Sequence, residues 1–154
     1  MADDRRRFEV SLVTPEGAAY EGECEMLIVP GAAGEIGILA RHAPLVAMLK
    51  AGSTRVHVQQ NEVLEFATGP GFFKVEQDRA LALVDDAVDV RNVDRAEAER
   101  RLEEARAELE RVEANESDAD RWQLEQRIRH AENMLDVAGG GTPTDLRVAA
   151  PPAG

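Results

Sequence analysis

From Phe8 to about Val90 the apolar residues come in short alternating runs separated by turn signals, the spacing of a small all-β domain. Phe8, Val10 and Leu12 alternate with polar neighbours until Pro15 and Gly17 break the run. Cys24, Met26 and Ile28 fall on one face of the next run and Leu27 and Val29 on the other, which predicts a strand covered on both sides. Val56 and Val58 alternate with Arg55, His57 and Gln59, and Asn61 offers a tight reversal into the run from Glu62 to Thr68, a hairpin pattern. Gly69, Pro70 and Gly71 mark another turn before Phe72 to Glu76 and then Ala80 to Val84, in which Leu81 and Leu83 share a face. Many short antiparallel strands with aliphatic inner faces predict an antiparallel β-sandwich or flattened barrel over residues 1–90.

After Val90 the period changes from two to about 3.6. Asn92 is the expected N-cap, and strong helix formers follow without Gly or Pro until Gly139. Ala98, Leu102, Ala105, Leu109 and Val112 form one stripe, and Leu124, Ile128, Ala131, Leu135 and Ala138 form a second. Between them Ser117 and Asp120 have the spacing of a capping box. So short a link predicts an antiparallel two-helix hairpin over residues 91–138, with these ten residues as its seam. Small Ala side chains at alternate seam positions limit the packing gain, so the hairpin is expected to dock on the β-domain or to exchange between arrangements. Trp122 lies off the stripe and is expected either as a docking residue or at the side of the seam's core, the latter preferred. Residues 139–154 lack periodicity and are rich in breakers, which predicts a disordered tail.

Composition restricts what such a chain can do. A net charge of −12 over 154 residues argues against nucleic acid and against an anionic membrane surface, both of which select Lys and Arg clusters. Cys24 is the single cysteine, so no internal disulfide can form and an intracellular setting fits best. No apolar run approaches the ~20 residues that span a bilayer, and the start MADDRRRFEV has no apolar core of a signal peptide. Membrane association is therefore expected only through a partner.

The segment from Pro30 to Leu45, PGAAGEIGILARHAPL, invites a chemical reading. Gly31, Gly34 and Gly37 are expected to reach positive φ at three points, turning Ile36, Ile38 and Leu39 inward and leaving Glu35 at a tip. Their spacing is neither the dinucleotide fingerprint nor a P-loop, and no Lys-Ser/Thr pair follows. His42, His57 and His130 are scattered over a loop, a strand and a helix, without the Cys or carboxylate neighbours of a metal site. His57 is expected to face solvent and His130 to lie on a polar helix face. No Ser sits in a nucleophile elbow, and Cys24 lies in an apolar strand. The helix carboxylates are interleaved with Arg, as on a solvated, salt-bridged face. No catalytic residue, metal site or cofactor is expected.

Gly34, Glu35, Ile36, Gly37, Ile38 and Leu39, followed by His42, Ala43, Pro44 and Leu45, resemble the corresponding run of the epsilon subunit of F-type ATP synthases. Thr14-Pro15-Glu16, Tyr20, Gly22-Glu23, Val29-Pro30-Gly31, Leu49 with Gly52, and Gly71-Phe72 with Val75 match the same pattern in order. The resemblance covers nearly the whole folded part, since that family joins a β-sandwich to a two-helix hairpin. It implies a non-catalytic central-stalk subunit of the rotor of a proton-translocating ATP synthase, linking the gamma subunit to the c-subunit ring. The hairpin resembles the family's mobile arm, which can extend toward the alpha/beta catalytic ring and restrain ATP hydrolysis. Gly34, Glu35, Ile36, Arg41 and His42 take the positions of the loop that meets the c-ring and the foot of gamma. The implied location is peripheral, on the cytoplasmic face of a bacterial plasma membrane.

Two positions depart from the resemblance. Relatives commonly carry Pro-Gly or Pro-Asn before the His, where this chain has Ala40 and Arg41. Some bacterial relatives bind ATP through an aliphatic-Asp-x-x-Arg-Ala motif; in the aligned stretch from Arg91 to Ala96 only Arg95 and Ala96 match, which leaves these two as the candidate ATP contacts. The competing reading, from a different class, is a freestanding adaptor whose acidic hairpin recruits a coiled-coil partner. A small-molecule-binding or enzymatic sandwich ranks behind both, because no constellation of groups supports it.

Overall fold

A computed structural model describes residues 6–139. Ten strands precede two helices: β1 (Phe8–Thr14), β2 (Gly17–Cys24), β3 (Met26–Gly31), β4 (Gly34–Leu39), β5 (Leu45–Leu49), β6 (Gly52–Gln59), β7 (Glu62–Thr68), β8 (Gly71–Glu76), β9 (Arg79–Val84), β10 (Ala87–Asp89), a 3-10 turn (Val90–Asn92), α1 (Arg95–Glu113) and α2 (Arg121–Ala138). The strands hydrogen-bond in the order β10-β7-β6-β3-β5-β8-β9-β1-β2, with β4 added to β3. β2, at one end of that path, comes back against β6, so the sheet curls round a single core as a barrel-like sandwich. One pair departs from the antiparallel expectation: β1 lies parallel to β9.

The core is mostly aliphatic, with Phe8, Phe66 and Phe73 as its aromatic members. Phe8, Val10 and Leu12 of β1 meet Leu27 and Val29 of β3, Val56 of β6, Phe73 and Val75 of β8, and Ala80, Ala82 and Val84 of β9. Each fully buried Val, Leu or Phe here contributes roughly 1.5–3 kcal/mol. Two faces differ from the sequence expectation. Cys24 packs into this core with Leu27 and Val29, not with Met26 and Ile28, because β2 ends at Cys24 and a bend at Glu25 resets the alternation. In β9 the inner face is Ala80, Ala82 and Val84, and Leu83 points outward.

Turn chemistry explains where strands reverse. Asn61 takes a positive φ of 66° between β6 and β7, and Gln77 and Asp78 (50° and 56°) form the two-residue turn between β8 and β9. Of the three glycines of the Pro30–Leu45 segment only Gly34 has a positive φ, 140°. Gly31 is needed instead for close approach, since a Cβ there would fall 2.6 Å from the Gly34 carbonyl oxygen. Within the same segment Ile38 is buried and Ile36 half-buried, whereas Leu39 is exposed instead of turned inward.

The helices pack against each other antiparallel, but their caps differ from the expected ones. The α1 N-cap is Asp94, which accepts from the Glu97 N–H at 3.1 Å, while Asn92 closes the 3-10 turn that Asp89 caps. α1 ends in a Schellman motif: Asn115 lies at φ 57°, its N–H bonds to the Val112 carbonyl, and the Glu116 N–H bonds to that of Arg111. Asp120 caps α2, accepting from the Trp122 and Gln123 N–H groups, and Ser117 instead donates to Glu108 across the link.

The seam holds Ala98, Ala105, Leu124 and Ala131 buried, with Leu102, Leu109, Val112, Ile128 and Leu135 half-buried beside them. Ala138 is exposed. Met134, one turn earlier on α2, packs with Ala98 near the start of α1 in place of Ala138. Trp122 is likewise exposed and outside the core. The tail expected from residue 139 lies, past Gly139, outside the described residues.

Candidate partner-contact site

The ladder between β3 and β4 pairs all six residues of each strand, from Met26 opposite Leu39 to Gly31 opposite Gly34. At ~3.3 Å per residue that register places Gly34 and Leu39 about 17 Å apart. Gly34, Glu35 and Ile36 therefore sit together at one end of β4, and Arg41 and His42 lie beyond the other end. The structure does not bring the five candidate residues into one surface.

Glu35 is not at a tip. Ala32 and Ala33 form the turn, and Glu35, second in β4, accepts from Arg55 Nη2 at 2.9 Å with the two side chains 16% and 13% exposed. Arg55 Nε is buried without a partner among the described residues. His57, two residues along β6, is half-buried with Nε2 unpaired, and burial followed by the neighbouring Arg55 charge lowers its pKa. The expectation that His57 faces solvent therefore fails.

At the other end, Arg41 holds φ 63° and its N–H donates to Asp78 Oδ1 at 2.6 Å, tying this turn to the β8–β9 turn. His42 Nδ1 lies 2.6 Å from the Ala43 carbonyl oxygen and is half-buried. The left-handed conformation at Arg41 accounts for a departure noted in the sequence: Gly and Asn adopt it with little strain, and Arg does not.

A second surface is one that the sequence reading passed over. Met48 lies opposite Phe72, Phe72 opposite Leu83, and Leu83 opposite Val13, so four apolar side chains cross β5, β8, β9 and β1 in one row on the outer face. Met48 is 64% and Leu83 44% exposed, and exposed Val46, two residues from Met48 on β5, lies beside the row. The signal was present, because LVAML in β5 and ALALV in β9 are apolar on both faces. In an antiparallel sheet that pattern means both sides are covered, and a contiguous exposed apolar patch marks an interaction site.

Neither candidate ATP contact is gathered into a cluster. Arg95 is exposed at the start of α1 and pairs with Glu99 at 3.6 Å, and Ala96 is exposed. Cys24 has its thiol pushed up to about 12, chiefly by burial, which leaves it unreactive.

The family model for the β-sandwich domain of the ATP synthase delta/epsilon chain matches residues 7–90. The chain belongs to this family. An ATP synthase epsilon chain of Rubrobacter xylanophilus is 34% identical over 148 residues, covering 92% of this chain and all of the relative. One of Bacillus pumilus is 40% identical over 137 residues, covering 87% and 98%. Solved structures share the fold at low identity. A chain of the Euglena gracilis mitochondrial ATP synthase, described as OSCP/F1/c-ring, superposes with a TM-score of 0.70 at 20% identity over 89% of this chain and 86% of its own length. A chain of the Tetrahymena thermophila mitochondrial ATP synthase central stalk/c-ring gives 0.54 at 15% identity over 87% and 98%. The delta/epsilon family thus accounts for the sandwich directly, and the epsilon-chain relatives extend over the helices as well.

Proposed function

We propose that this chain is a non-catalytic central-stalk subunit of a proton-translocating F-type ATP synthase, linking the gamma subunit to the c-ring and restraining ATP hydrolysis through its helical hairpin. The observation that carries the reading is the apolar row Val13, Met48, Phe72 and Leu83. A β-domain of this size with no catalytic constellation leaves such a row outward when a second protein covers it. Gamma is the occupant assigned to it. Gly34, Glu35 and Ile36 meet the c-ring, and Arg41 with His42 forms a separate contact at the opposite end of β4.

The hairpin is the restraining arm. It meets the sandwich through a small apolar cluster in which only Ala67, Ala98 and Met134 are buried, so its hold there is light enough to be exchanged for contacts on the alpha/beta ring. Its salt-bridged outer face, with Arg100 between Glu97 and Glu104, keeps it soluble when released. No helix among the described residues is long and apolar enough to cross a membrane, and the complex supplies the attachment to the cytoplasmic face of the bacterial plasma membrane. Arg95 and Ala96 remain candidates for an ATP contact made only when the hairpin rearranges.

Reconstitution tests the arm directly. A chain truncated after Asp89 should still assemble with gamma while raising the ATP hydrolysis rate of the complex; an unchanged rate would remove the restraining half of the proposal. The freestanding adaptor reading would be favoured by recovery of a coiled-coil partner in place of gamma.

A further inference from the structure

α2 touches the sandwich through a small apolar contact and two polar side chains on one of its faces. The apolar part is Ala67, Ala98 and Met134, with Val88, Val93, Leu135 and Val137 half-buried at its margin. Asn133 reaches furthest: its Nδ2 donates to the Gly52 carbonyl at 3.2 Å and to the Thr68 carbonyl at 3.1 Å. Gly52 and Thr68 are register partners where the β6–β7 ladder begins, so one amide group spans both strands. His130, three residues earlier on α2, has Nε2 2.7 Å from Asp86 Oδ2 in the bend between β9 and β10. Beside these bonds a cleft of about 540 Å³ separates α2 from the sandwich, lined among others by Lys50, Pro70, Trp122 and Arg129. The expected polar helix face thus carries His130 inward, as a docking group.

We infer that Asn133 and the His130–Asp86 pair form a latch that sets how often the hairpin leaves the sandwich. The inference rests on the reading of the hairpin as a movable arm. Its logic is a comparison of sizes. Only two alanines and one methionine are fully buried, with four half-buried aliphatics around them, so the polar bonds hold a substantial share of the contact, and each is made to a group that becomes hydrated once the hairpin leaves. A protonated imidazole gives Asp86 a charge-assisted bond, whereas the neutral ring offers an ordinary one.

The surrounding charges fit the same picture. Asp86 is held below the usual carboxylate range first by its bond to His130, with burial opposing and the Arg101 charge on α1 assisting. Lys50 and Asp85 of the sandwich line the same cleft as His130, and Arg101 and Glu104 of α1 with Arg127 of its own helix line the cleft between the helices that His130 also borders. A depressed Asp86 keeps its charge down to low pH, so the carboxylate side of the latch is lost only as pH falls through that lowered value. Docking should therefore hold down to that pH.

The test is the distance distribution, by pulsed electron resonance on the full chain, between spin labels at Asp118→Cys in the helix link and Glu76→Cys on β8; buried Cys24 stays unlabelled. Wild type should give one predominant docked distance. Asn133→Ala, Asp86→Asn and His130→Phe should each raise the undocked population at least about fivefold, the weight of one ordinary hydrogen bond. Met134→Glu serves as the control for the arm itself. If it releases the hairpin while Asn133→Ala, Asp86→Asn and His130→Phe do not, the latch is wrong and the arm stands. If no variant changes the distance, the movable-arm reading falls, and the latch with it.

Discussion

Arg55 on β6 and Glu35 on β4 meet at 2.9 Å across the intervening strand β3, both largely shielded from water. Glu35 therefore has a structural task before it can have a contact role: it neutralises a guanidinium that the sheet has partly desolvated. Removing one partner of such a pair strands the other charge. Glu35→Ala should destabilise the domain by about 3 kcal/mol in urea unfolding, and Glu35→Ala combined with Arg55→Met should recover most of that loss. Equal stability of the single variant and wild type would make Glu35 free for contact alone.

Arg41 should be stabilised by the residue type that its backbone asks for. Its φ of 63° lies in the left-handed region, which costs an L side chain of this kind about 1–2 kcal/mol. Arg41→Gly is expected to raise stability by about 0.5–1 kcal/mol, the relief of ~1–2 kcal/mol of backbone strain less the extra freedom glycine gives the unfolded chain. A lower denaturation midpoint would show that the Arg41 side chain makes up the strain.

Gly71 admits no side chain. A Cβ there would lie 1.9 Å from the Leu83 carbonyl oxygen, and that atom belongs to the adjacent strand backbone. Gly71→Ala must push β9 away from β8 and should cost about 3 kcal/mol. Because Leu83 belongs to the apolar row, the same variant should also weaken gamma binding in a pull-down.

His57 gives the sandwich a pH dependence of definite sign. Its folded pKa is lowered by burial and by Arg55, so between the folded and unfolded values the unfolded chain binds more protons. The stability it contributes is complete above the unfolded value, about 6.5 for a free histidine, and is lost as pH falls through the folded value. The urea midpoint should drop between pH 7 and 5, and His57→Gln should flatten that slope. An unchanged slope would place the acid sensitivity elsewhere.

Much of this architecture was legible because alternation and periodicity report burial directly. Phe8, Val10 and Leu12, the Asn61 reversal and both helices fall where the patterns place them. What failed depended on single residues with long-range consequences. The bend at Glu25 changes the face of Cys24, and the choice between Met134 and Ala138 depends on where α1 begins. The separation of Glu35 from His42 follows from β4 being fully paired, which adjacency in sequence conceals. The apolar row was hidden because its members come from four strands, and only the register aligns them.

The central claim is that this outer apolar row is the seat of gamma. The decisive measurement is a pull-down of gamma and the c-ring with the full chain, comparing wild type with a Met48→Glu, Leu83→Glu variant whose folding is checked by its urea midpoint. Retention of gamma by wild type and its loss by the folded variant is the predicted result; equal retention by both, or no gamma bound to wild type, would contradict it.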